Sequence, residues 1–270
     1  MSRRLITLAI CLLTGSAAQS QQPQAKWRVN VAPAQCTLSG TVDHPGVDGV
    51  SISTIPGSAS YTLTLTGGTL HRRSAPSQGP VKIGFDSSVQ RIPGTGTFLR
   101  LKDGMAIRIE GLPTILAEGF ERASTITIEN GHSSIGPVAI SGSAKAMRAM
   151  NTCAAEQLAE WGADPAQFQP GGMPAAPKAH PDSWFAPAQL MKLPFAGDRI
   201  DIVLKLSITP GGVVDGCEQV AGLPNKPAGE AACKMLQGKL LYMPARDPAG
   251  LAVQGVGSHR IQLIRRVSIG

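Results

Sequence analysis

Apolar and polar residues alternate in short runs through most of residues 27–142. Tyr61, Leu63 and Leu65 alternate with Thr62, Thr64 and Thr66. Val81, Ile83 and Phe85 alternate with Lys82 and Gly84, and Met105, Ile107 and Ile109 with Ala106, Arg108 and Glu110. Ile126 and Ile128 alternate with Thr125, Thr127 and Glu129. A period of two predicts strands with one buried and one wet face. Pro56-Gly57, Gly67-Gly68, Pro93-Gly94 and Gly136-Pro137 punctuate the runs as turns. A short helix is predicted over 113–122, with Pro113 near its first turn. The period then changes. Met147, Met150, Ala154, Leu158 and Trp161 are spaced three and four apart and share one helical face. Ser143 is placed to cap this helix and Gly162 to stop it. The Met stripe reads as a core-facing stripe.

Residues 163–187 break the pattern. Pro165, Pro170, Pro174, Pro177, Pro181 and Pro187 stud an Ala/Gly background with few apolar residues to bury, which predicts a semi-rigid, poorly folded linker. Beyond it Ile200, Ile202, Leu204, Leu206 and Ile208 alternate with Arg199, Asp201, Val203, Lys205 and Ser207, a half-buried strand. Pro210-Gly211-Gly212 turns the chain into a second strand over 213–220. Pro227 opens a helix that runs to about 238, with Ala231, Ala232, Met235 and Leu236 facing in, and a final strand covers 260–267. The expected fold is α+β. A β-rich domain with one long helix spans 27–162, the Pro/Ala/Gly-rich linker 163–187, and a small strand-strand-helix-strand domain 188–270.

The start of the 270-residue chain changes the setting. Arg3 and Arg4 precede the apolar run Leu5 to Leu13, and Gly15-Ser16-Ala17-Ala18 follows. This reads as a signal peptide over 1–20, cut after Ala18 or Ser20. The run is shorter than the about 20 residues that span a bilayer. No later segment is long and apolar enough to cross one, so no stable membrane insertion is expected after cleavage. Without Arg3 and Arg4 the 25 Lys and Arg fall to 23, against 18 Asp and Glu, a net charge of +5. Residues 199–270 hold nine basic and five acidic residues. The bias is mild, aromatics are few and no basic run exceeds a pair, which argues against a nucleic-acid partner.

Four cysteines remain after the leader: Cys36, Cys153, Cys217 and Cys233. An exported chain holds such cysteines as disulfides. Four cysteines allow three connectivities. Pairing within each set, Cys36 with Cys153 and Cys217 with Cys233, follows from the linker that separates the sets. The 16-residue spacing of Cys217 and Cys233 is not that of a redox Cys-x-x-Cys motif. His44, His71, His132, His180 and His259 lie at no metal-ligand spacing, so no metal or other cofactor is expected. His132 follows the Asn130-Gly131 turn and His180 falls in the linker, where solvated rings are expected. No Gly-x-Ser-x-Gly elbow occurs, and Gly94-x-Gly96 lacks the third glycine of a nucleotide loop. No catalytic residue is assigned.

The C-terminal third also carries a resemblance. A strand and Gly turn, Cys217, Ala231-Ala232-Cys233, Met243-Pro244-Ala245-Arg246-Asp247, Gly250 and a closing strand resemble the TonB C-terminal domain. More narrowly, they are similar to its cysteine-bearing form in exported proteins of alphaproteobacteria. The resemblance covers 184–267. It implies a small α+β domain in the periplasm of a Gram-negative cell. It also implies binding of an envelope protein, or a segment of an outer-membrane receptor, by strand addition to a sheet edge. By position the closing strand is that edge, with Arg260, Gln262, Ile264 and Arg266 on one face. The same edge also reads as a solvated one, guarded against aggregation by Arg260, Arg265 and Arg266. Residues 27–162 loosely resemble exported domains that end in a Cys-containing helix and Trp-Gly-x-Asp, here Trp161-Gly162-Ala163-Asp164; no activity follows from that. The expected function is non-catalytic binding of an envelope protein. Two alternatives stand beside it. One is a TonB-family energy transducer for outer-membrane transport, which needs a retained membrane anchor. The other is an envelope enzyme or cell-wall-binding protein with its site in the N-terminal domain.

Overall fold

The computed structural model describes residues 25–68, 70, 77–131, 133–195 and 197–264. Residues 1–20, where a signal peptide is expected, and His71, His132, Arg265 and Arg266 lie outside the described residues. The alternating runs become nine antiparallel strands: β1 (Lys26–Ala32), β2 (Gln35–His44), β3 (Val47–Thr54), β4 (Tyr61–Gly67), β5 (Gln78–Phe85), β6 (Ser88–Leu101), β7 (Gly104–Leu112), β8 (Thr125–Asn130) and β9 (Ser133–Ala139). They form one sheet in the order β1-β2-β3-β4-β7-β6-β5-β8-β9. Helix α1 (Ile115–Arg122) joins β7 to β8, and α2 (Ser143–Glu160) follows β9. The sheet curls until β9 approaches β2, and α2 packs against β1 and β2. The inward residues of each strand therefore share one interior. Leu38, Ile52, Leu63, Ile107 and Ile126 meet Phe120 of α1 and Met147 and Met150 of α2 there, all fully buried. The polar half of each alternation is left on the outside.

The cap of α2 differs from expectation. Gly142, at φ 84°, is the cap, a left-handed position that favours glycine. Ser143 is the first helical residue. It is buried, and its hydroxyl donates to the Phe120 carbonyl, tying α2 to α1. Trp27 of β1 steadies the same corner. Its Nε1 donates to Ser141 O at 3.1 Å, and its ring meets Phe120 edge-on at 6.2 Å.

The second core is built on three longer strands. The chain runs through β10 (Ala176–Pro177), α3 (Pro187–Leu190), β11 (Arg199–Ile208), β12 (Val214–Gly222), α4 (Lys226–Leu236), β13 (Tyr242–Met243), β14 (Ala245–Arg246), β15 (Ala252–Val253) and β16 (Gly255–Ile264). The antiparallel order is β12-β11-β16. Ile200, Ile202, Leu204 and Leu206 bury against Ala228, Ala232 and Leu236 of α4. Ala231 and Met235 sit at the border of that face, because its buried stripe runs through Ala228, Ala232, Cys233 and Leu236. Asn225 caps α4 by accepting from Ala228 N at 3.2 Å. The last strand starts at Gly255 rather than near 260. Gly255 and Gly257 hide its alternation, yet a side chain does not fit at 257, where a Cβ would fall on the Tyr242 hydroxyl.

Both predicted disulfides are present. Cys36–Cys153 ties β2 to α2, and Cys217–Cys233 ties β12 to α4. Cys217→Ser is expected to destabilise the molecule by about 2–4 kcal/mol, because the bridge no longer restricts the unfolded chain. Thermal melting under non-reducing conditions measures this, and an unchanged melt would remove the stabilising role.

The Pro-rich stretch is packed rather than free. Asp164 N donates to Gln254 O at 2.9 Å, and the Asp164 carboxylate accepts from Ala166 N at the start of a 3-10 turn. Met173 and Arg246 exchange backbone hydrogen bonds, and β10 pairs with β13. Trp184 and Phe185 sink into the second core. Proline removes donors and fixes φ, but the N–H groups between the prolines find carbonyls on residues 241–254. Composition alone does not reveal that partner.

Candidate binding site

The first candidate is the outer edge of β16. This strand pairs with β11 over its whole length, from Arg199↔Ile264 to Ile208↔Gly255, with no shift of register. Backbone groups therefore alternate regularly between the partner strand and the outside. Ser258 N donates to Gly57 O at 3.2 Å, off the outer side. By the same alternation Arg260, Gln262 and Ile264 direct their backbone groups outward. No strand lies beyond them among the described residues.

The other edges are less open. Pairing of β12 with β11 shifts register between Val203 and Leu204 and between Ser207 and Ile208. Val214 already donates to Lys239 O and accepts from Gly238 N. Bulges at both ends leave a short edge of the kind that resists pairing. In the large sheet, β9 carries Pro137 and β1 carries Lys26 and Arg28, which have the same effect.

The predicted edge residues divide. Arg260 is held by Asp201 through two hydrogen bonds, Nε to Oδ1 at 2.8 Å and Nη2 to Oδ2 at 2.9 Å. Its Nη1 also lies 3.7 Å from Glu110 of β7. The Gln262 amide joins this cluster, its oxygen accepting from Arg260 Nη2 at 2.8 Å in the orientation that satisfies both ends of the amide. Arg260's hydrogen bond holds the Asp201 carboxyl below the usual carboxylate range. Ile264 stands apart, 78% exposed. Arg266 is outside the described residues.

The second candidate is a cleft of about 830 Å³ between the two sheets. One wall is the outer face of β2, β3, β4 and β7, which carries Ser, Thr, Arg108 and Glu110. The other is the polar face of the three-stranded sheet, with Ser258, Arg260, Gln262 and Asp201. The sheets meet at Gly57 and Gly257. Gly57 has φ 76°, and a Cβ there would lie 2.9 Å from Gly257 Cα. Leu158 of α2, Ala163 and Val256 of β16 form a small apolar cluster beside that contact.

His259 is the chemically unusual residue of this region. Its ring stacks on Phe185 at 5.7 Å and meets Trp184 at 5.3 Å. Burial lowers its pKa to about 4, Asp182 opposes that shift and His180 adds to it. Sequence reasoning passed over His259, since no spacing links it to Trp184 and Phe185. It also passed over the hydroxyl wall, although the run Thr62, Thr64, Thr66 already marked a wet face. His180 is exposed and lies 3.5 Å from Asp182. Among the described residues no group of three or more His, Cys, Asp or Glu is placed to hold a metal ion.

No family model matches this chain, and no curated protein or solved structure matches it. Among the described residues no helix is long and apolar enough to cross a membrane.

Proposed function

We propose that this is an exported, non-catalytic binding protein of the cell envelope. It takes up an extended segment of an envelope protein as a strand added to β16, as the resemblance to the TonB C-terminal domain implies. One observation carries the reading: the hydrogen bond from Ser258 N to Gly57 O, which lies off the outer edge of an unshifted strand. A carbonyl of the chain's own loop there makes the kind of bond an incoming strand would extend. The guarding reading of the same edge is weaker. Of the three guarding arginines only Arg260 is among the described residues; its charge is paired with Asp201, and an exposed Ile264 beside it invites contact. Two disulfides fit an oxidising compartment.

Photo-crosslinking from position 264 in living cells tests the contact. A discrete adduct with an envelope protein is expected, and Gln262→Pro is expected to abolish it by removing an outward donor while leaving the fold. An adduct that survives this substitution in a folded variant would rule out the edge. Fractionation tests the location. A species cut after Ala18 or Ser20, free of the inner membrane and with both disulfides by intact mass, is expected. A full-length species in the inner membrane would favour the transducer instead.

A further inference from the structure

The cleft between the sheets has its own chemistry, separate from the backbone edge. On its N-terminal wall Thr37, Ser53 and Thr62 are direct cross-strand neighbours on β2, β3 and β4. Ser51 pairs with Thr64, and Thr64 with Arg108 of β7. Neighbours across a sheet lie about 5 Å apart, and same-face residues along a strand about 7 Å apart. The wall is thus a grid of hydroxyls, each able to donate and to accept. Among the described residues the side-chain hydroxyls of Thr37, Ser51, Ser53, Thr62 and Thr64 take part in no hydrogen bond within the protein.

The facing wall supplies an independent observation. Ser258 is 2% exposed, lines the cleft, and its Oγ has no partner among the described residues. On the N-terminal wall Nε of Arg108 is a second buried polar atom left unpaired among the described residues. Buried polar groups are nearly always hydrogen-bonded, and leaving one unmade is unfavourable. Both therefore point to an oxygen-rich occupant.

Charge narrows the class. Arg108 lies 2.8 Å from Glu110, and Arg260 is paired with Asp201. Within the cleft the two guanidiniums are matched by Glu110 and Asp201, and the remaining carboxylate, Asp182, lies exposed beside His180. Among the described residues no cation is therefore free for an anionic guest, and a charged guest between the walls would have to break an existing pair. The lining is mainly polar, which disfavours an apolar guest. The volume, about 830 Å³, falls within the roughly 300–1,000 Å³ of small-ligand sites. We propose that the cleft binds a neutral, polyhydroxylated ligand, an oligosaccharide, laid across the Ser/Thr wall and completing the hydrogen bonds of Ser258 and Arg108.

The test uses the full mature chain, ¹⁵N-labelled, titrated with the tetrasaccharides of β-1,4-linked N-acetylglucosamine, cellulose and maltose. Saturable shifts confined to the cleft are expected with at least one of them. Ser53→Ala combined with Thr62→Val should weaken binding by about tenfold, since two hydroxyl contacts go. Ser258→Ala should also weaken binding without lowering the melting temperature, because the hydroxyl it removes has no partner in the free protein. Failure of all three saccharides to bind would overturn the proposal, as would binding that is indifferent to these substitutions. Binding of a Ser/Thr-rich extended peptide in the cleft, with the saccharides inert, would replace it with a peptide site.

Discussion

Cys153→Ser is expected to lower stability by about 4–5 kcal/mol, since the bridge to Cys36 closes a loop of 117 residues. The loss arises mainly in the unfolded chain, which gains the freedom that the cross-link withholds. It also has a location in the folded chain. Cys36 sits fully buried on β2, and Cys153 lies on α2 beside Met150. Without the bond, α2 is held over the curled sheet by its packing, by the contacts of Trp27 and Ser143 at its N-terminal end, and by Gln157 Nε2, which donates to Ala32 O of β1 at 3.1 Å. Urea denaturation of the variant and of the oxidised parent gives the difference directly. Cys36→Ser should match it, and the double variant should add little. A difference below about 1 kcal/mol would mean that the sheet and helix hold together without the bond.

Acid is expected to weaken the second core through His259. Its pKa is about 4 in the fold against an ordinary value of 6.5. The unfolded chain therefore binds a proton that the folded chain refuses across that window. Stability is fully present above about pH 6.5 and falls as the pH drops toward about 4, by up to about 3 kcal/mol. Asp182 moderates the loss, and His180 sharpens it. The depressed carboxyl of Asp201 acts in a separate window. Its contribution is present above the ordinary carboxylate value of 3.8 and is lost below it, as the pH falls through the folded value. Denaturation at pH 7 and pH 4.5 separates the two. His259→Leu should flatten the higher window alone, and an unchanged slope in that variant would assign the acid sensitivity elsewhere.

The alternation of Leu63 with Thr64, or Ile107 with Arg108, made the sheet legible, because a half-buried strand needs that period whatever its neighbours do. The stripe from Met147 to Trp161 was legible for the same reason. Sequence spacing left three things hidden. The register of Ser53 beside Thr62, which makes the hydroxyl wall, depends on pairing between separate segments. The packing of the Pro-rich stretch depends on residues 241–254, which lie far along the chain. The pairing of Arg260 with Asp201 and its approach to Glu110 depend on how the two sheets meet. Each is a long-range contact between residues that look like ordinary surface when read in order.

The bond from Ser258 N to Gly57 O also sets a time scale. It occupies an outward donor on β16, so an incoming strand within the described residues would have only the outward positions Arg260, Gln262 and Ile264. Each position offers a donor and an acceptor, so the ladder gives about 3–9 kcal/mol at about 0.5–1.5 kcal/mol for each net hydrogen bond. After a cost of about 4 kcal/mol or more for lost freedom, the affinity is no stronger than roughly a tenth of a millimolar unless side chains add to it. A partner held in this way would exchange quickly. The encounter would work by repeated sampling rather than by long residence.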